Sequence, residues 1–247
     1  MADLQHHEIG EGLHLAFRHR RGRGPTLIFL PGYTSDMEGG KASALDLWAQ
    51  RKGQAMLRFD YAGCGQSEGD FETQTLHHWR GDVLAMIDEV ADEGPVVLAG
   101  SSMGGWLMLL AALARPERVA GLVGIAAAPD FTDWGYSQEE KLRILQEGRL
   151  ETPNPHGEEP TITTRIFWES GEALRLLHAP IAIDCPVRLL HGQEDREVSW
   201  TWSLELMKLL RSADVQTILV KDGDHRLSRE PDLALLVATV STLMESL

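Results

Sequence analysis

Cysteine is nearly absent from this chain: Cys64 and Cys185 are the only two among 247 residues. Two thiols cannot build a disulfide framework or a CxxC metal site, and their scarcity suits a reducing compartment. Positive charge is also in short supply. The chain has 23 Lys and Arg against 37 Asp and Glu, a formal net charge of −14. Such a surface repels phosphate backbones and anionic headgroups, which argues against nucleic acid as a partner. The one basic cluster, RHRRGR at 18–23, lies between two apolar runs and reads as a solvated hairpin loop. No apolar run approaches the roughly 20 residues of a bilayer-spanning helix, so no stable membrane insertion is expected. The start, MADLQHHEIGEG, is polar and acidic and lacks signal or transit features. The expected address is therefore cytoplasmic. No phosphate-cradling GxxxxGK and no GxGxxG occurs, and neither HH pair has the ligand spacing of a metal centre. No cofactor and no metal are expected. Oligomeric state is not specified.

What the chain does have is rhythm. Short apolar runs of strand length, PTLIFLPG (25–32), AMLRFDY (55–61), GPVVLAGS (94–101), VAGLVGIAAA (119–128), CPVRLLHG (185–192) and VQTILVKDG (215–223), follow an N-terminal hairpin. Helical windows lie between them; in 76–91, Leu76, Trp79, Val83, Ile87 and Val90 recur at three- and four-residue steps. Nearly continuous apolar strands alternating with helices predict a mostly parallel central sheet covered on both faces, in one α/β domain over 1–247. In such folds chemistry gathers in the loops at the carboxyl ends of the strands.

One stretch breaks the pattern. From about 131 to 180 no sheet strand is evident, and a proline-rich loop, TPNPHGEEP, separates two helical segments. This reads as a small helical cap insertion. Its Phe131, Trp134, Phe167 and Trp168 are candidate substrate-binding residues. The alternative is an ordinary helical excursion whose aromatics pack into the core.

The segment LAGSSMGGWL (98–107) offers two serines. A strand running into a helix through GxSxG is a nucleophile elbow, in which the serine projects above the sheet and its second neighbours on either side must be tiny. Only Ser102 is flanked that way, by Gly100 and Gly104; Ser101 has Ala99 and Met103. A bare GxSxG arises by chance in roughly one such chain in ten, but here an apolar strand precedes it and a helical run follows. Ser102 is the candidate nucleophile.

A serine needs a base, and the base needs an acid to hold its tautomer. On this architecture the chain order is Ser, acid, His. Of ten histidines, His225 in VKDGDHRLS follows the last strand and precedes the final helix, the best placement for the base. His191, within LLHGQED, reads as shaping the turn that leads to the acid. Asp195, just past the penultimate strand, is the candidate acid, and Asp130, at the end of the preceding strand, is its main rival. The oxyanion donors expected are the backbone N–H of Met103, directly after the nucleophile, and that of Tyr33 in LPGYTSD.

Taken together, LPGYTSDMEGGKA, RFDYAGCGQSEG, GSSMGGWLML, ARPERV, CPVRLLHGQEDREVSW and DHRLS resemble the α/β-hydrolase superfamily. The likeness narrows to a branch of palmitoyl-protein thioesterases and acyl-glucuronide esterases, and it extends over about residues 25–247. It implies the α/β-hydrolase fold and, position by position, the triad Ser102, Asp195 and His225. It implies hydrolysis of acyl thioesters or carboxylic esters, with a small-molecule ester or S-acylated substrate as partner. The segment 131–180 matches least. Two other readings stand beside this one: the same triad on another electrophile, as in C–C bond hydrolases, lipases or peptidases, and a non-catalytic binder that keeps the fold as a ligand pocket.

Overall fold

The computed structural model of the protein describes residues 2–153 and 160–247, with Glu11 in its backbone only. The chain opens with β1 (Leu4–Ile9), β2 (Leu13–Arg20), β3 (Arg23–Leu30), α1 (Gly40–Lys52) and β4 (Gln54–Phe59). The middle contributes α2 (Leu76–Ala85), β5 (Val96–Ser101), α3 (Met103–Ala114) and β6 (Val119–Ile125). After a segment comprising α4 (Phe131–Trp134), α5 (Gln138–Glu147), β7 (Arg149–Thr152), β8 (Thr161–Thr164) and α6 (Arg165–Ala173), the sheet resumes. It ends with β9 (Val187–Gly192), α7 (Thr201–Leu209), β10 (Val215–Val220) and α8 (Glu230–Ser246).

Eight strands form one sheet in the order β1-β2-β4-β3-β5-β6-β9-β10. The pairs β1/β2 and β2/β4 are antiparallel, and every pair from β4 to β10 is parallel. This is the α/β-hydrolase fold. The two-residue period of the strands divides the core cleanly. Ile28 and Leu30 of β3, Leu98 of β5 and Leu189 of β9 face one side with Trp79, Trp106 and Leu206. Leu27 and Phe29, Val97 and Ala99, and Leu190 face the other with Trp48, Leu236 and Val240. α2, α3 and α7 therefore cover one face, and α1 and α8 the other. Polar caps start several helices: the Thr75 hydroxyl accepts from the His78 amide at α2, and Ser137 and Glu140 form a capping box at α5.

Two expectations are corrected. The basic cluster at 18–23 is not a hairpin loop, because β2 and β3 are not neighbours; β4 lies between them. Two of its arginines are engaged in ion pairs, Arg18 with Glu38 and Arg20 with Asp46. The true hairpin joins β1 to β2. Residues 40–52 form α1, whose buried stripe of Ala42, Leu45, Trp48 and Ala49 has helical spacing but little apolar bulk. Within 131–180 the structure also contains strands, since β7 and β8 pair as a separate antiparallel hairpin. His156 and most of the proline-rich loop lie outside the described residues.

Several apolar runs also continue two or three residues past their strands, because the loops there are themselves buried. One of them, after β4, is tied from below. Asp82 of α2 is buried, and its carboxylate accepts the Ala62 amide at 2.9 Å. Burial, only partly offset by that hydrogen bond, pushes the Asp82 carboxyl up to about 7. Because the folded state holds this proton more tightly than the unfolded chain, the associated stability is complete at low pH. It is lost as pH rises from the ordinary carboxylate range through about 7. Asp82→Asn, whose amide oxygen can still accept from Ala62, is therefore expected to gain on the parent as pH rises. Urea unfolding should give on the order of 2 kcal/mol more relative stability at pH 8 than at pH 4; an equal difference at both pH values would contradict this.

Candidate active site

The turn between β5 and α3 has the backbone that an elbow requires. Ser102 adopts φ 54° and ψ −119°, a conformation costing an L-residue about 1–3 kcal/mol and kept only where surroundings impose it. Here the Ser102 amide donates to the Ile125 carbonyl at 2.9 Å, and its carbonyl accepts from Gly105 and Ala128. The two glycines of the motif are required by close approach. A Cβ on Gly104 would collide with the Leu30 carbonyl, and one on Gly100 with the Gly104 carbonyl. Ser101, on the other hand, is only 7% exposed at the end of β5.

Two further side chains meet at Ser102 from the far end of the sequence. His225 Nε2 lies 3.1 Å from Ser102 Oγ, and His225 Nδ1 lies 2.7 Å from Asp195 Oδ2. Parallel pairing of β9 with β10 delivers them, placing the two following loops side by side. The loops are stitched by Glu194 N–H to the Gly223 carbonyl and Gln193 N–H to the Val220 carbonyl. Lys41 of α1 braces the same region, its Nζ donating to the Arg226 carbonyl at 2.6 Å, and burial pulls its ammonium down to about 8.

The Asp195 side chain is closed off from solvent. Its Oδ1 accepts the Glu197 and Val198 amides at 2.9 and 2.8 Å, and its Oδ2 meets His191 Nε2 at 3.0 Å as well as His225. Burial opposes the charge, but hydrogen bonds from His191, His225 and the Val198 amide outweigh it. They hold the carboxyl well below the ordinary carboxylate range. An ionised Asp195 requires the hydrogen on His225 Nδ1, which leaves the Nε2 lone pair facing the serine hydroxyl.

The rival acid is occupied elsewhere. Asp130 sits at φ 58°, and its carboxylate accepts the Leu176 and Leu177 amides at 2.7–2.9 Å, fastening the chain after α6 to the end of β6. His191 was legible only as a turn residue. The i, i+4 spacing of His191 and Asp195 at the end of a strand is the signal that could have marked it as a partner of the acid.

A cavity of about 450 Å³ opens over Ser102; Gly32, Tyr33, Thr161, Glu197 and His225 are among its walls. A second cavity, of about 360 Å³, shares Thr34, Ser35 and Asp36 with it and reaches Cys64, Phe71 and Ile162. The four aromatics singled out in the sequence are not on these walls. Phe131 and Phe167 pack with Tyr33 at ring-centroid distances of 6.1 and 4.8 Å, Trp134 stacks on Trp202 at 5.1 Å, and Trp168 donates to the Thr132 carbonyl. Their area is spent on seating residues 131–180 over the sheet. From this segment β8 contributes Thr161 to the wall over Ser102, and its Ile162 carbonyl accepts the Tyr33 hydroxyl at 2.6 Å. Met103 opens α3 with its amide at the helix N-terminus, and Tyr33 follows Pro31–Gly32 on the cavity wall. Among the described residues, no cluster of His, Cys, Asp and Glu could hold a metal ion, and no helix is long and apolar enough to cross a membrane.

Comparison with known proteins agrees with this architecture. Residues 25–147 match the family model described as serine aminopeptidase, S33. Over 237 residues the chain is 43% identical to the human protein named palmitoyl-protein thioesterase ABHD10, mitochondrial, covering 94% of this chain and 77% of the relative. The structure of mouse alpha/beta hydrolase domain-containing protein 10 superposes with a TM-score of 0.93 at 41% identity, covering 99% of each chain. The ferulic-acid complex of Est1E from Butyrivibrio proteoclasticus shares the fold at a TM-score of 0.82 and 21% identity, covering 98% of each. These relatives also correct the expected cytoplasmic address, since the human, orangutan and mouse proteins are all named as mitochondrial. A low cysteine count fits any reducing compartment and does not choose among them. With a relative 43% identical across nearly its whole length and an eight-stranded sheet of matching form, the chain belongs to the α/β-hydrolase superfamily of serine hydrolases.

Proposed function

We propose that this serine hydrolase cleaves acyl thioesters, and more generally carboxylic esters, through an acyl-Ser102 intermediate, with Ser102, Asp195 and His225 as its triad. The observation that carries the reading is the unbroken chain from Ser102 Oγ through His225 to Asp195 Oδ2, at 3.1 and 2.7 Å. The name of the human relative, a palmitoyl-protein thioesterase, supports the substrate class.

The chemistry follows from the positions. As Ser102 Oγ attacks the acyl carbonyl carbon, His225 Nε2 takes the hydroxyl proton, and the buried Asp195 carboxylate stabilises the imidazolium that forms. The carbonyl oxygen becomes an oxyanion, for which the amides of Met103 and Tyr33 are the donors; each such donor contributes about 10²–10³ in turnover. Collapse breaks the carbonyl–sulfur bond, and His225 returns the proton to the departing thiolate. Water, deprotonated by the same imidazole, then releases the carboxylic acid and restores the serine. The cavity over Ser102 and the adjoining one beside Phe71 and Ile162 offer room for an acyl chain.

The reading is tested with a fluorophosphonate probe and an S-palmitoyl peptide. Labelling and hydrolysis should be lost in Ser102→Ala and retained in Ser101→Ala; undiminished labelling of the Ser102 variant would end the claim. Asp195→Asn should lower kcat by about 10⁴ while leaving KM near the parent value. In the parent, kcat/KM should climb with pH as the imidazole loses its proton. The depressed Asp195 carboxyl should add no further acid limb above pH 4. A flat profile under conditions where chemistry limits the rate would remove His225 as the base.

A further inference from the structure

We propose that His191 is a positioning residue that sets the protonation behaviour of His225 through the oxygen they share. This rests on the triad reading above and goes beyond it. His191 is wholly buried on β9, on the face that carries Leu189 towards α7. Its Nε2 meets two acceptors, Asp195 Oδ2 at 3.0 Å and the Val198 carbonyl at 3.1 Å. Neither can donate, so Nε2 bears the hydrogen. Its Nδ1 lies 2.7 Å from Ser203 Oγ on α7, a hydroxyl that is itself buried and can donate. With Ser203 donating, a neutral His191 has every polar position satisfied and one tautomer enforced. The unit Ser203–His191 thus delivers a fixed N–H to the same carboxylate oxygen that receives His225 Nδ1.

Two consequences follow. The carboxylate cannot rotate, because Oδ1 is held by the Glu197 and Val198 amides and Oδ2 by His191, so the oxygen offered to His225 has one direction. The second consequence is electrostatic. In a site closed to water, an oxygen that accepts a second strong donor shares its charge, and the imidazolium of His225 gains less from it. Without the His191 donor, that oxygen would turn its charge to His225 alone. The other ionisable groups facing His225 are Glu197, whose carboxylate is 3.9 Å from Nε2, the neighbouring Asp224 and Arg226, Lys41 from α1, and Asp36 across the cavity. All of them are retained in the comparison below, so they do not alter its sign.

The test compares the parent with His191→Leu, His191→Gln and Ser203→Ala, each verified as folded by thermal melting, on an S-acyl peptide from pH 5 to 9. His191→Leu keeps apolar bulk and removes the donor. It should lower kcat about tenfold with KM within twofold, and move the acid limb of kcat/KM upward by about half a pH unit or more. His191→Gln, whose side-chain amide can present an N–H towards Oδ2, should recover most of both effects. Ser203→Ala leaves the hydrogen on Nε2 but removes the partner that anchors the ring at Nδ1, and should move the limb in the same direction by less. If His191→Leu does not fold, Ser203→Ala decides the matter alone. An unshifted limb in the folded variants would make His191 a packing residue only and overturn the proposal, as would a Gln variant as impaired as the Leu one. Failure of the triad reading looks different: the parent would then lack fluorophosphonate labelling at Ser102, whatever the His191 variants do.

Discussion

A carboxylate closed off from water is the constraint around which this site is organised. Removing one partner from a buried ion pair or hydrogen-bonded charge is strongly destabilising, because the remaining charge has no solvent to turn to. Asp195 avoids that penalty with four N–H donors from three parts of the chain: His191 at the end of β9, the Glu197 and Val198 amides in the loop, and His225 after β10. The first three are local to Asp195, and His225 reaches it because β9 and β10 run parallel and in register, Gly192 opposite Val220. Function and folding therefore draw on the same contacts. The sheet brings the loops together, and His225 completes the set of donors around the buried charge.

The opposite kind of constraint acts at Ser102, where the backbone is strained rather than satisfied. That strain persists because the residue's amide and carbonyl are both tied, to Ile125 on one side and to Gly105 and Ala128 on the other. Asp130, which follows β6 much as Asp195 follows β9, shows how local geometry divides labour between similar residues. In its left-handed conformation it turns its carboxylate to the Leu176 and Leu177 amides and secures the chain that returns from α6. One strand-end acid is hydrogen-bonded to the His225 imidazole; the other fastens the chain after α6.

The features legible in the sequence were those that follow from strong local rules. Sheet strands showed as apolar runs, and the elbow showed because only glycine fits on either side of Ser102. The placement of Asp195 and His225 followed from chain order and strand ends. What escaped notice depended on tertiary partners. α1 was missed because alanines and a buried Asp46 supply most of its inner face, and β7 and β8 because four-residue strands carry little periodic signal. The aromatics of 131–180 were visible as bulk, but sequence does not say whether an aromatic ring will meet substrate or another ring. His191 was visible as a residue and opaque as a partner, since its role depends on a serine twelve residues on in another element.

The packing of those rings has a consequence for specificity. Phe131 and Phe167 are engaged with Tyr33, and the cavity over Ser102 takes its walls mainly from the loops after β3 and β10, with Thr161 of β8 and Glu197 beside them. Tyr33 links the two layers. Its ring is held in the aromatic cluster, its hydroxyl anchors β8 through the Ile162 carbonyl, and its backbone borders the cavity at the position from which an oxyanion donor would come. A change that loosens the cluster would shift β8 and the Tyr33 backbone together, because the same side chain ties both. One residue thus ties the aromatic cluster, β8 and the rim of the cavity over Ser102 into a single mechanical unit.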